Sequence, residues 1–264
     1  MTDCSYRICR DGAGPIVAAA IHDGHALSPQ VADQIALGEA ERLREEDPYT
    51  ASLTAVASTQ IVALRSRFEV DFNRPREKAV YRQPADAWGL NVWRKPPSQE
   101  MIEAALKQYD EFYRAVEAVL SELLEREGRL VVYDIHSYNH RRSGSGAPPA
   151  SEADNPEVNI GTGTLDRQLW SPVVDRFIAD LRQHQRNGRA LDVRENIKFR
   201  GGQFSRWIHE TFAQRVCAIS IEFKKFFMDE WTGEVDKVEL TKLMQMLGST
   251  VAGVRRGLEK MDAC

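Results

Sequence analysis

Cysteine is scarce in this chain. Four occur in 264 residues, Cys4, Cys9, Cys217 and Cys264, with neither the paired spacing of a zinc ribbon nor the density of a disulfide-stapled domain. Cys217 opens an apolar run and is expected to be a buried thiol. No apolar stretch approaches the roughly 20 residues that a bilayer span requires, so no membrane role is expected. The N-terminal "MTDCSYRICRDG" lacks the charge-then-apolar pattern of a signal peptide, and the expected location is the cytoplasm. An excess of positive charge is also missing. Thirty-five Lys and Arg face 39 Asp and Glu, for a net charge of -4, which leaves no electrostatic footprint for nucleic acid. Internal repeats and long low-complexity tracts are absent too.

What remains has ordinary globular composition, 42% hydrophobic and 28% charged, and is long enough to bury a sizeable core. A single domain over residues 1–264 is expected, its loosest part "SGSGAPPASEADNPEVN" at residues 143–159, read as a mobile surface loop. Helical spacing predicts helices over Val31 to Glu46, Ser98 to Arg126, Trp170 to Asn187 and Lys237 to Met261. Ser98 is a fitting N-cap for the second helix and Gly128 a fitting terminator. The runs "PIVAAAIHDGH", "LVVYDIHSYNH" and "CAISIEFKKFF" are rich in Val and Ile, as strands buried on both faces should be. Their alternation with helices predicts an α/β fold with a central mixed, mostly parallel sheet flanked by helices on both faces.

Each of these runs ends in chemistry: His22 follows the first, His136 the second and Glu222 the third. A fourth run, "SRFEVDFNRPR", ends in Asp71, Asn73 and Arg74. Singly, each has a structural explanation in a hydrogen bond, an ion pair or a turn. Together they point to one site, because ligands of open α/β sheets bind beyond the carboxyl ends of the strands. Imidazole and carboxylate ligands suit zinc, which polarises a carbonyl and lowers the pKa of its bound water toward roughly 7. A nearby carboxylate would take the proton and an arginine would neutralise the oxyanion.

Four blocks then carry a resemblance. "AIHDGHALSP", "RFEVDFNRPRE", "VVYDIHSYNHRR" and "FRGGQFSRWIHETF" with "AISIEFKKFFMDE" resemble, in order, the blocks of the N-formylglutamate amidohydrolase family, a branch of the zinc carboxypeptidase-like hydrolases. The resemblance spans residues 15 to 230 or so and implies a zinc carboxypeptidase-like fold with one zinc ion per chain. It implies His22 and His136 as zinc ligands and Glu222 as general base. Asn73 and Arg74 would grip a substrate carboxylate, and Arg206 would contact the substrate or the oxyanion. For the remaining ligand, His25 in "HDGH" is the first choice and Asp47 in "EEDPYT" the second. Should Asp47 be the ligand, His25 would be left to hydrogen-bond the substrate.

Strand alternation places Asp134 on the same face as His136, either to orient that ring or to pair with Arg141 or Arg142. His140, Arg141 and Arg142 would close over an anionic substrate or anchor the following loop. His209 reads as structural and His184 as solvated. The expected activity is cleavage of an N-acyl group, N-formyl by resemblance, from an amino acid such as glutamate, with a small-molecule substrate as partner. The alternatives are a carboxypeptidase-like peptide or N-acyl amino-acid deacylase, and a metal-binding protein without turnover. "HDGH" stands where the compared deformylases have a "PHSG"-like block, a departure that bears on substrate more than on chemistry.

Overall fold

The run Leu130–Tyr138 is buried along its whole length, because its odd and even positions pack against different helix layers. Val131, Tyr133 and Ile135 belong to one apolar cluster, whereas Leu130 and Val132 belong to the other. The computed structural model, which describes residues 4–262, builds the molecule around this strand. In chain order the elements are β1 (Tyr6–Arg10), β2 (Ile16–Ala20), α1 (Pro29–Gln34), α2 (Glu39–Glu45), α3 (Thr50–Leu53) and β3 (Thr59–Ala63). Then come α4 (Gln99–Glu127), β4 (Leu130–Tyr138), β5 (Val158–Gly161), α5 (Ser171–Leu181), β6 (Gln185–Arg186) and β7 (Arg189–Ala190). The chain closes with β8 (Val193–Glu195), α6 (Gln203–Phe212), β9 (Val216–Lys224) and α7 (Lys237–Asp262).

Seven strands form one mixed sheet in the order β1-β3-β2-β4-β9-β5-β8. The central β3, β2, β4 and β9 run parallel, while β1 pairs antiparallel with β3 and β5 antiparallel with β9. Helices α4 and α6 cover one face and α5 and α7 the other. The expected α/β architecture is therefore present. On the α4/α6 face the apolar residues of β4 and β9 stop at the register partners Val132 and Ala218. Beyond them the facing pairs are Asp134 with Ser220 and His136 with Glu222. The sheet thus changes from core to polar within one layer.

Helix α4 starts and stops where its sequence directs. The Ser98 hydroxyl accepts from the Met101 N–H at 3.2 Å, and Gly128, at φ 75°, closes the end by donating to the Leu124 carbonyl. Three expectations need correction. The helix expected over Val31 to Glu46 is two helices, α1 and α2, because Ile35 turns extended and bridges to Trp93 while Gly38 caps α2. The helix expected over Trp170 to Asn187 ends at Leu181, since Asn187 and Gly188 both take positive φ and turn the β6–β7 hairpin, a strong turn signal that outweighs the helical pattern. The run at residues 66–76 forms turns, and the strand lies just upstream as β3.

Cys217 is buried as expected, and Cys4, Cys9 and Cys217 are free thiols; Cys264 lies outside the described residues. Among the described residues, no helix is long and apolar enough to cross a membrane.

Candidate metal centre and cleft

Asp47 sits directly after the C-terminal cap of α2, and its N–H donates to the His22 carbonyl at 2.9 Å. That bond brings the end of the α2 segment against the residues that leave β2. His136 stands on β4 beside them, its ring centroid 4.9 Å from that of His22. Among the described residues, His22, Asp47 and His136 form a buried group able to hold a metal ion, with ligand atoms within 4.8 Å of one another.

The orientation of the two rings is specific. Nδ1 of His136 lies 2.9 Å from Asp47 Oδ2, and Nδ1 of His22 lies 3.5 Å from the same oxygen. Each Nε2 is committed elsewhere, on His22 to Asp71 Oδ1 at 2.7 Å and on His136 to Asp134 Oδ1 at 2.9 Å. A carboxylate on Nε2 holds the proton there and leaves the Nδ1 lone pair for a metal. Asp134 is steadied in turn by the Ser205 hydroxyl at 2.7 Å, and Asp71 by Arg67 Nη2 at 2.8 Å and the Tyr81 hydroxyl.

The electrostatics call for a cation. Burial alone would raise the Asp47 carboxyl, but the His136 and His22 hydrogen bonds outweigh it and hold the group well below its ordinary range. Burial alone would lower His136, yet the Asp134 charge and the bonds to Asp134 and Asp47 hold it well above. Two imidazole nitrogens facing one buried carboxylate make a donor set that fits zinc. Glu222, opposite His136 in the sheet, is pushed up to about 8, chiefly by burial and against the pull of the His136 charge.

His22, Asp47, His136 and Glu222 line a cleft of about 240 Å³ with Arg67, Asn73, Trp88, Arg142, Arg200 and Lys225. Asn73 is placed by its backbone N–H, which donates to Asp71, and by its Oδ1, which accepts from the Phe204 N–H at 3.0 Å. Gly202 permits this contact, for a Cβ there would overlap the Asn73 amide.

Several expected residues lie elsewhere. His25 does not join the ligand group: its Nδ1 meets Glu46 Oε2 at 2.5 Å and its Nε2 meets Arg42 at 3.1 Å. Arg74 is not among the residues that line the cleft; its guanidinium lies 4.7 Å from the Tyr81 ring and its Nε 3.7 Å from Asp71. Arg206 is exposed on α6, where the neighbouring Ser205 faces Asp134 instead. Arg142 borders the cleft and reaches Glu45 at 3.3 Å, but Arg141 borders a separate hollow. His209 staples α6 to β9, accepting from the Ala218 N–H and meeting Thr164. His184 bonds Ser249 at the surface. Arg67, Tyr81, Ser205 and Lys225 were not singled out by sequence, although Arg67 opens the "RFEVDFNRPRE" block and Ser205 adjoins Arg206.

An imidazole–carboxylate donor set at the carboxyl ends of the parallel strands makes this an α/β protein with a candidate metal centre. The sequence profile of the N-formylglutamate amidohydrolase family matches residues 14–228, and the chain belongs to that family. It is accordingly a hydrolase of a non-peptide amide. The fold is similar to that of an N-formylglutamate amidohydrolase from Ralstonia eutropha JMP134, at 17% identity, a TM-score of 0.74, and coverage of 99% of this chain and 100% of that one. A gene product of Agrobacterium tumefaciens, Atu2144, is similar at 16% identity and TM-score 0.64, with 96% of each chain covered. No curated protein sequence matches significantly.

Proposed function

We propose that the chain is a single-zinc amidohydrolase that releases formate from an N-formyl amino acid, N-formylglutamate being the substrate suggested by its family. The observation that carries this reading is the convergence of two Nδ1 atoms on Asp47 with Glu222 one strand away. His22, Asp47 and His136 would hold the zinc, which when bound polarises the scissile carbonyl and acidifies a water. Glu222, whose ionised form a bound cation would favour, takes a proton from the attacking water as the water oxygen bonds the formyl carbon. The same carboxyl then delivers that proton to the amine nitrogen as the C–N bond breaks, and the formic acid released passes its remaining proton to the amine, giving formate and the free amino acid. Arg67, at the cleft wall, would stabilise the negative charge that develops on the carbonyl oxygen. Arg142 and Arg200 are the cleft cations available to a substrate carboxylate. Asn73 would position the acyl group. The free thiols accord with a reducing, cytoplasmic setting, which we include in the proposal.

One observation favours a larger acyl group: Trp88, 50% exposed, and Phe199 give the cleft apolar walls. Steady-state rates on N-formyl-, N-acetyl- and peptidyl-glutamate test both readings. Formyl turnover at least tenfold above the others is expected. Preference for the peptidyl or acetyl compound would replace the deformylase by a deacylase. No turnover of any of them by zinc-loaded protein would sink the enzymatic reading.

A further inference from the structure

The end of α2 that delivers Asp47 is held by two cations. Lys225 Nζ donates to the Arg44 carbonyl at 2.6 Å and to the Glu46 carbonyl at 2.7 Å, while Arg67 Nη1 donates to the Glu45 carbonyl at 3.3 Å. Carbonyls at a helix C-terminus have no intrahelical partner and carry the negative end of the helix dipole, so a cation suits them. Water would suit them as well, at a much lower cost than a buried ammonium. Lys225 is only 1% exposed. It leaves the sheet three residues beyond Glu222, just past the end of β9, and borders both the cleft and a more open hollow of about 490 Å³. A charge buried so fully is retained where its donors are used and its field is compensated, and here both conditions are met by the segment that presents Asp47.

We propose that Lys225 is a positioning residue for the metal centre, rigidly tying carbonyls of the segment just before Asp47 to the strand that carries Glu222. This rests on the zinc reading above. The Asp47 N–H is already fixed on the His22 carbonyl, so the added tie on Glu46 leaves the Asp47 carboxylate little freedom other than side-chain rotation. Zinc affinity and geometry should therefore depend on a side chain whose ammonium has no lone pair to offer the ion. Without the tie, Asp47 would spread over several positions, and the cost of gathering it would be met at each binding event.

The experiment compares zinc affinity, by competition with a chromogenic chelator, and the visible spectrum of the cobalt-substituted protein in wild type, Lys225→Met and Lys224→Met. Lys224 borders a different hollow, with Glu157 and Asp192, and serves as control. A rise in the zinc dissociation constant of roughly 10–100-fold is expected for Lys225→Met, with an altered cobalt spectrum and wild-type behaviour of Lys224→Met. A folded Lys225→Met chain with wild-type affinity and spectrum, even with a lower melting temperature, would overturn the proposal, because a purely structural lysine predicts that result. Should the Met chain fail to fold, Lys225→Gln is read on the same scale: weakened zinc in a folded protein supports the tie, and wild-type zinc affinity overturns it. A wild-type chain that takes up neither zinc nor cobalt overturns the metal reading itself and the tie with it.

Discussion

His136 and Glu222 are register partners on the adjacent parallel strands β4 and β9. Backbone hydrogen bonding therefore sets the separation of a candidate ligand and a candidate base, at the roughly 4.8 Å spacing of neighbouring strands. On its other side Glu222 faces Asn159 of β5, whose amide is occupied with the Lys198 N–H and the Phe199 carbonyl. Glu222 is thus fixed in the sheet and left without a hydrogen-bond competitor from Asn159.

Glu222→Gln keeps the shape of the base and removes its proton affinity. Turnover should fall by roughly 10²–10⁴-fold while zinc content, read by atomic emission, stays at the wild-type level. Retained turnover would take the base role away from Glu222.

Asp134→Asn should act on the metal without touching it. The carboxylate that holds the His136 Nε2 proton becomes an amide able to present either its oxygen or its NH₂, and zinc affinity should drop by about 10–100-fold. Ser205→Ala, one bond further out, should have a smaller effect in the same direction. Equal zinc affinity in all three proteins, measured by calorimetry, would show that Nε2 orientation is irrelevant.

Arg67→Met and Arg206→Ala compare the arginine at the cleft with the one expected from the sequence. Arg67 borders the cleft and Arg206 is exposed. Loss of Arg67 should lower kcat/KM by about 10²–10³-fold, and loss of Arg206 by less than about threefold. The reverse order would place the oxyanion contact on α6.

His209 should shape the acid limb of stability. Burial pushes its pKa down to about 4, and the Ala218 N–H that donates to its Nε2 also favours the neutral ring. A folded value below the unfolded one means that the neutral ring's contribution is complete above the ordinary 6.5 and is lost as pH falls through about 4. The loss amounts to up to roughly 3 kcal/mol. Urea denaturation of wild type and His209→Gln between pH 7 and 4 should give a shallower pH dependence for the variant. Parallel curves would assign the acid sensitivity to another group.

The readable parts of the fold were those whose cause is local. The length of α4 follows from apolar spacing between Ser98 and Gly128, and β2, β4 and β9 from dense Val and Ile. Strands β5 and β8 were not readable, because short segments with mixed composition acquire strand geometry only by pairing with β9 and with each other. The split of Val31 to Glu46 was equally hidden, since Ile35 leaves the helix to meet Trp93, 58 residues further along the chain.

The sequence by itself determined the cast of the site: two histidines and a glutamate at strand ends, and carboxylates at 47, 71 and 134 among which partners had to be found. It also determined the layer change on β4 and β9, because alternation alone puts Asp134 with His136 and Ser220 with Glu222 on one face. The tertiary structure brings Asp47, and not His25, to His22 and His136. His25 follows His22 by only three residues, yet the turn carries its ring to Glu46 and Arg42. Asp47, 25 residues away, is brought in by one backbone hydrogen bond to His22 and by the clamp on the end of α2. Proximity in the chain constrains where a backbone can go, whereas the direction of a side chain depends on which partners the packed structure offers it.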